Sequence, residues 1–364
     1  MRVLFVVEHT TTSPGTRYRV MQFLPWYEAA GLQCTVMPLQ GPRSTRRSLM
    51  SPTLGRTHRL IHWITRWAET QVGLARIAGR FADYERIYLY RIPLPTWARR
   101  KLVPLRDRVL FDFDDALDVP DRGGGLAHLR HRFVRAGFRN ALLSAGLVVA
   151  SNRRNADALG TLHPNVTMVP TSVVVARYPF RERRRLQGGP AVFGWIGTPS
   201  TAGYLRLLEP ALEALRRERR FIVRLVGAGA NPLHARDIEL REWRLETEVE
   251  EITRFDVGLM PMPDTEWTRG KAALKALQYG ASGAPTVASW TLTNEELLGS
   301  SGGVFLCRSE DEWIESLRRL LDDDDLRAQM GARARARVTE RFSVEANVRQ
   351  LIGLIRDPHR SEVP

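Results

Sequence analysis

Short apolar runs alternate with helix-length stretches as far as Val169, and after a polar break at 181–190 the same alternation begins again. The runs Val3–Val7, Gln33–Leu39, Arg86–Tyr90, Arg108–Phe113, Leu147–Ala150 and Val166–Val169 read as buried strands. Between them, Thr16–Ala30 ends at Gly31 like a helix, and 56–80 carries Leu60, Ile61, Ile64, Trp67, Val72 and Leu74 at helical spacing. Strands that alternate with helices build a parallel sheet covered on both faces.

The break is basic and punctuated by Gly188, Gly189 and Pro190, as an interdomain linker would be. Beyond it, strands are expected at 191–196, 221–226, 256–260 and 286–289, with helices at 202–217, 271–280 and 310–321, then one or two terminal helices over 326–356. A chain of 364 residues exceeds what one core of about 250 to 300 residues holds. The expected architecture is α/β, two doubly wound sheets facing a cleft, with ligands beyond the carboxyl ends of the strands.

The net charge of +14 suits an anionic partner, either a phosphorylated substrate or an anionic membrane surface. Nucleic acid is not expected, because no basic strand interleaved with aromatics and no zinc-finger spacing accompanies the charge. The N-terminus turns acidic at Glu8, too early for a signal peptide, and no run of about 18 apolar residues occurs. A cytoplasmic protein is expected, peripheral at the inner membrane face if the basic helix 126–145 meets lipid rather than solvent. Cys34 and Cys307, far apart in strand-like contexts, read as two buried thiols.

Of the 54 lysines and arginines only Lys101, Lys271 and Lys275 are lysines. Lys271 and Lys275 lie four residues apart, hence on one face of the expected helix 271–280, with Arg269 and Gly270 at its start. A glycine allowing close approach, helix N–H groups and flanking cations form an anion site suited to a diphosphate. Gly227 closes a strand in a Gly-Ala-Gly turn at the cleft rim, without the third glycine of a dinucleotide fingerprint, so no nicotinamide cofactor is expected. Gly197, Thr198, Ser200 and Thr201 follow strand 191–196 and offer backbone and hydroxyl donors, or cap a helix. Asp112, Asp114 and Asp115 cluster at a strand end; they hold a cation or anchor the loop, and no metal is predicted.

Trp267–Ser289, with Phe255–Pro261, Phe193–Thr201, Phe111–Leu117 and Arg327–Phe342, resembles a bacterial branch of the family 4 glycosyltransferases (glycosyl transferase group 1), in order along most of the chain. The resemblance implies the type-B glycosyltransferase fold. Two Rossmann-like domains are implied, 1–182 for the acceptor and 190–340 for the nucleotide sugar, with 341–364 crossing back to the first. It also implies a retaining transferase that needs neither metal nor cofactor and joins a nucleotide-sugar donor to a glycan, glycolipid or small-molecule acceptor. The family's Glu-x7-Glu pair falls on Gly270 and Gln278, so neither carboxylate is present; Asp264 or Glu266 substitutes, or the donor is held differently. Relatives place phosphate or sugar contacts near Asn294 and Glu295, a cleft histidine where this chain has Arg91, and a glycine loop where it has Gly15, Arg17 and Arg19. They commonly carry aspartate at the position of Val174, in the domain hinge.

In mechanistic terms Arg269, Lys271, Lys275 and Arg91 are the expected cations for the leaving diphosphate. Two rivals stay open: a sugar-nucleotide epimerase of the same fold, and a non-catalytic protein that binds a nucleotide sugar or polyanion.

Overall fold

The computed structural model describes residues 1–50, 56–116, 126–182, 189–235, 237–299 and 302–359, with side chains of 48–50, 56, 57, 59 and 126–131 outside that description. The first sheet takes β1 (Arg2–Val7), β2 (Gln33–Pro38), β3 (Arg86–Tyr90), β4 (Val109–Phe113), β5 (Leu147–Ala150) and β6 (Val166–Met168), all parallel in the order β2-β1-β3-β4-β5-β6. Its helices are α1 (Pro14–Arg19), α2 (Leu24–Ala29), α3 (Pro42–Met50), α4 (Arg56–Ala78), α5 (Thr96–Leu102), α6 (Leu126–Ser144) and α7 (Arg153–Gly160). The second sheet takes β7 (Ala191–Ile196), β8 (Phe221–Val226), β9 (Ile238–Arg241), β10 (Val257–Met260), β11 (Thr286–Ser289) and β12 (Val304–Cys307), in the order β12-β11-β10-β7-β8-β9. Around it lie α8 (Pro199–Ala202), α9 (Glu209–Arg216), α10 (Glu248–Thr253), α11 (Glu266–Arg269), α12 (Leu274–Ala281), α13 (Leu292–Leu298) and α14 (Glu310–Asp322). Then α15 (Asp324–Arg341) and α16 (Val344–Arg356) end the fold.

Strands this apolar are buried on both faces: in β1 only Arg2 reaches solvent. The strand order reverses between β1 and β3 in one sheet and between β7 and β10 in the other, so each sheet opens a crevice there. In the second sheet β7 and β10 pair only through Phe193–Gly194 and Val257–Gly258 before they diverge. Tyr279 of α12 fills the fork, its hydroxyl accepting from the Ile196 N–H at 3.1 Å and donating to the Leu259 carbonyl at 3.3 Å. A Cβ at Gly258 would lie 2.2 Å from the Tyr279 ring, so that strand position admits only glycine. The chain crosses between the sheets twice, and the crossings are stitched together where Val173 pairs with Ser343. Beyond the second crossing α16 buries Val344, Val348, Leu351, Leu354 and Ile355 against Val3, Phe5 and Tyr27 of the first sheet's layer.

Several elements differ from expectation for local reasons. The helix expected over 16–30 is α1, a 3-10 turn at Met21–Phe23 and α2, because Pro25 cannot continue an α-helix through the carbonyl of residue 21. Pro210 breaks 202–217 in the same way, into a 3-10 stretch at Gly203–Leu208 and α9. The helix expected from Lys271 begins at Leu274, after Ala273 in the left-handed region at φ +52. Lys271 therefore does not share a helical face with Lys275. Edge strand β9 was not foreseen, its Ile-Glu-Leu-Arg lacking an apolar run. Cys34 is partly exposed rather than buried, while Cys307 is buried; both are free thiols. Of the expected linker, residues 183–188 lie outside the described residues, as does Leu117.

Candidate functional site

The carboxyl ends of both sheets meet across a cleft, and the first sheet contributes the ends of β1, β3 and β4. Glu8 follows β1 and is gripped by Arg66 of α4 and by Gln40 Nε2 at 3.1 Å. Burial pushes its carboxyl up, but Arg66, His9 and Arg91 outweigh burial and hold it at about 2. Beside it His9, 3.6 Å from Glu8, is pulled down to about 4, by burial first and then by Arg66 and Arg91 against the pull of Glu8. Arg91, at φ +55 after β3, turns its guanidinium onto Asp115 Oδ2 at 2.7 Å and Asp114 Oδ1 at 3.4 Å. Burial opposes the Arg91 charge, and Asp115 and Asp114 more than restore it. Burial and the adjacent Asp115 push Asp114 above the usual carboxylate range despite Arg91.

The second sheet supplies the opposing cations. Lys271 Nζ donates to Asp115 Oδ1 at 2.5 Å and lies 4.6 Å from the Trp267 ring centre. Burial raises Asp115, yet Arg91 on one side and Lys271 on the other hold it at about 2. Lys275, on α12, stands over the β7–β10 crevice 5.6 Å from the Trp195 ring centre. A Cβ at Gly197 would meet its Cε at 3.1 Å, so that glycine leaves room for the ammonium stem. No carboxylate pairs with Lys275 among the described residues. Burial, with Lys271 adding to it, pulls its ammonium down to about 8. Gly227, at φ +80, packs against the Gly197 carbonyl, where a Cβ would come within 2.3 Å. Thr198 and Ser200 bond to each other at 2.7 Å, and Thr201 N–H donates to the Thr198 carbonyl beside them.

Gly270 is an interdomain contact. A Cβ there would lie 2.4 Å from Ala116 Cβ and 2.7 Å from Ala116 N, while the Gly270 carbonyl accepts Asn152 Nδ2 and Asn155 Nδ2, each at 3.0 Å. Gly270→Ala should therefore pry the domains apart at a cost of about 1 to 3 kcal/mol. Small-angle scattering and limited proteolysis check this; an unchanged radius of gyration and cleavage pattern would contradict it.

Gln278 is buried in a second cross-cleft network. Its Nε2 donates to Tyr18 OH at 2.8 Å and to Glu248 Oε1 at 3.4 Å, with Tyr178 OH at 3.4 Å. Arg17 from α1 closes on Glu248 through two bonds, at 3.1 and 2.8 Å, and lies 5.1 Å from the Trp243 ring centre. Trp243 Nε1 also donates to Glu248, at 2.7 Å. A glutamate at 278 would set a second carboxylate against Glu248, whose own charge already occupies that corner. Asp264 and Glu266 do not take its place: both are spent on Arg269, at 2.8 and 3.0 Å, on an exposed turn.

Other expected residues are engaged by partners within the chain. Arg19 and Asp112 form a fully buried pair, with Nε and a second guanidinium nitrogen donating to Asp112 at 3.0 and 2.6 Å. They lock β4 to α1 and present no charge to a ligand. Arg269 is half exposed on its acidic partners. Asn294 is buried and donates to the Ser289 carbonyl at 2.8 Å, and the exposed Glu295 takes the Trp290 indole N–H. Gly15 sits on Tyr90, whose hydroxyl would be 2.2 Å from a Cβ there. Glu8, His9, Arg66 and Glu248 escaped sequence reasoning; the one available signal was Glu8, a carboxylate at the end of the apolar run 3–7. Among the described residues no three His, Cys, Asp or Glu side chains are grouped to hold a metal ion.

Residues 206–353 match the family model described as glycosyl transferase-like. No curated protein matches the chain in sequence. Among solved structures, the chain is similar to sucrose-phosphate synthase from Thermosynechococcus elongatus, with TM-score 0.69 and 14% identity over 98% of each chain. It is similar to HepE from Anabaena, in complex with UDP and glucose, with TM-score 0.66 and 14% identity over 98% of this chain and 99% of that one. It is also similar to WaaG, a glycosyltransferase involved in lipopolysaccharide biosynthesis, with TM-score 0.65 and 13% identity over 98% and 99%.

Proposed function

We propose, from the match of residues 206–353 to the glycosyl transferase-like family model and the type-B glycosyltransferase fold of the whole chain, that this protein transfers a sugar from a nucleotide-diphosphate sugar to an acceptor hydroxyl. The observation that carries the reading is Lys275: a cation without a carboxylate partner among the described residues, beside Gly197 at the crevice of the second sheet. An ammonium held there by burial gains most when a diphosphate arrives to neutralise it.

In the reaction the bond from the anomeric carbon to the diphosphate oxygen breaks and a bond to the acceptor oxygen forms. The acceptor's proton leaves with the nucleoside diphosphate. Lys275, and Lys271 once drawn from Asp115, stabilise the negative charge that grows on the leaving oxygen, which is the step preorganised cations accelerate. This is the basis for proposing that no metal is required. Trp243, flanking Gly227, is offered to the base. Glu8, His9 and Arg91 line the acceptor side, where His9, neutral near pH 7 given its value of about 4, can hydrogen-bond a sugar hydroxyl. Retention of configuration is proposed from the family resemblance.

HepE is seen with UDP and glucose, so UDP-glucose is the first donor to try. The test is product analysis of a panel of nucleotide sugars incubated with the protein, without and with candidate acceptors. Slow release of free sugar and nucleoside diphosphate from one donor, accelerated by acceptor, is the expected result. An epimerised nucleotide sugar, or binding without any turnover, would overturn it.

A further inference from the structure

We propose that the outer face of α4, with the adjoining edge of α6, is a docking surface for an anionic lipid bilayer. One side of α4 belongs to the domain: Thr70, Leu74 and Ile77 are buried, and Arg66 reaches in to Glu8. The opposite side, where a helix of a globular protein normally shows polar residues, carries Leu60, Ile61, Ile64 and Trp67, between 41% and 58% exposed. Their spacing sets them on one stripe. Phe133 of α6, 54% exposed, extends the stripe sideways, its ring edge-on to Trp67 at 6.4 Å. Trp97, also exposed, is held at the stripe's lower end by an indole bond to Gln71 at 3.0 Å.

The charge around this face has one sign. Arg132, Arg135 and Arg139 are exposed along α6. None of the three has a carboxylate partner among the described residues. The sequences of α3, α4 and α6 contain a single acidic residue, Glu69, and it turns inward to Ser44 at 2.7 Å. Apolar side chains in the middle, tryptophans at the margin and unpaired arginines around them fit a helix lying in the headgroup layer. No helix among the described residues is long and apolar enough to cross a membrane, so the contact is a surface one. A second copy of the chain fits less well, because a twofold contact through this face would set the arginine rims against each other.

The test is sedimentation of the full chain with vesicles of phosphatidylcholine alone and of phosphatidylcholine with phosphatidylglycerol. The expected result is binding to the anionic vesicles that weakens with salt. It should fall at least about tenfold in Ile61→Glu/Ile64→Glu and in Arg135→Glu/Arg139→Glu, with unchanged melting temperature. Wild-type protein left in the supernatant, or variants that bind as wild type, would overturn the proposal. So would gel filtration showing a lipid-free dimer that the isoleucine variant splits, which would assign the face to a second copy. Vesicle binding is read without donor or acceptor, so its failure is distinct from failure of the proposed transfer.

Discussion

Lys275→Ala lowers donor turnover by about 100- to 1000-fold, the usual consequence of removing one preorganised charge from a developing anion. The same variant loses a pH dependence that the wild type shows. The Lys275 ammonium of the free protein titrates at about 8, pulled down by burial and by Lys271. A bound diphosphate favours the charged form, so donor affinity is full below that value and declines as pH rises through it. Affinity measured from about pH 7 to about pH 9 should fall in the wild type and stay level in Lys275→Ala. Equal turnover in the two proteins, or a level wild-type profile, would remove Lys275 from the donor site.

Asp112→Ala should have the largest effect on stability. Asp112 accepts two bonds from Arg19 and one from Tyr88 OH at 2.6 Å, all in the buried interior of the first domain. Deleting the carboxylate leaves the Arg19 guanidinium buried with only the Val169 carbonyl, at 2.8 Å, as partner. Removing one member of a buried pair costs about 3 to 5 kcal/mol, since the remaining charge is stranded. The double variant Arg19→Met/Asp112→Leu should recover much of that loss, because it strands nothing. Chemical denaturation checks both; a loss under about 1 kcal/mol for Asp112→Ala would contradict the account.

What the sequence disclosed and what it withheld follow from how local each signal is. Apart from the edge strand β9, the strands of both sheets are compact apolar runs, and the restart after the polar break points to the second sheet. Helix interruptions at Pro25 and Pro210 were equally local, yet the apolar spacing on either side masked them. Lys271 was placed on a helix by its distance from Lys275; the left-handed Ala273 between them carries no sequence signal, since alanine is otherwise the best helix former. Glu248 lay hidden among Glu242, Glu246, Glu250 and Glu251, and only the fold brings it to Gln278 and to Arg17, 231 positions away. Arg19 and Asp112 were drawn toward the cleft by their neighbours in sequence, whereas in the structure they neutralise each other beneath it.

The central claim, that the second domain holds a diphosphate through Lys275, is tested most directly by calorimetric titration of the wild-type protein with a nucleoside, its monophosphate and its diphosphate, UDP first. The account predicts measurable binding that rises steeply at the diphosphate and is cut at least about tenfold by Lys275→Ala. Binding that is the same for nucleoside and diphosphate, or that the substitution leaves unchanged, would contradict it.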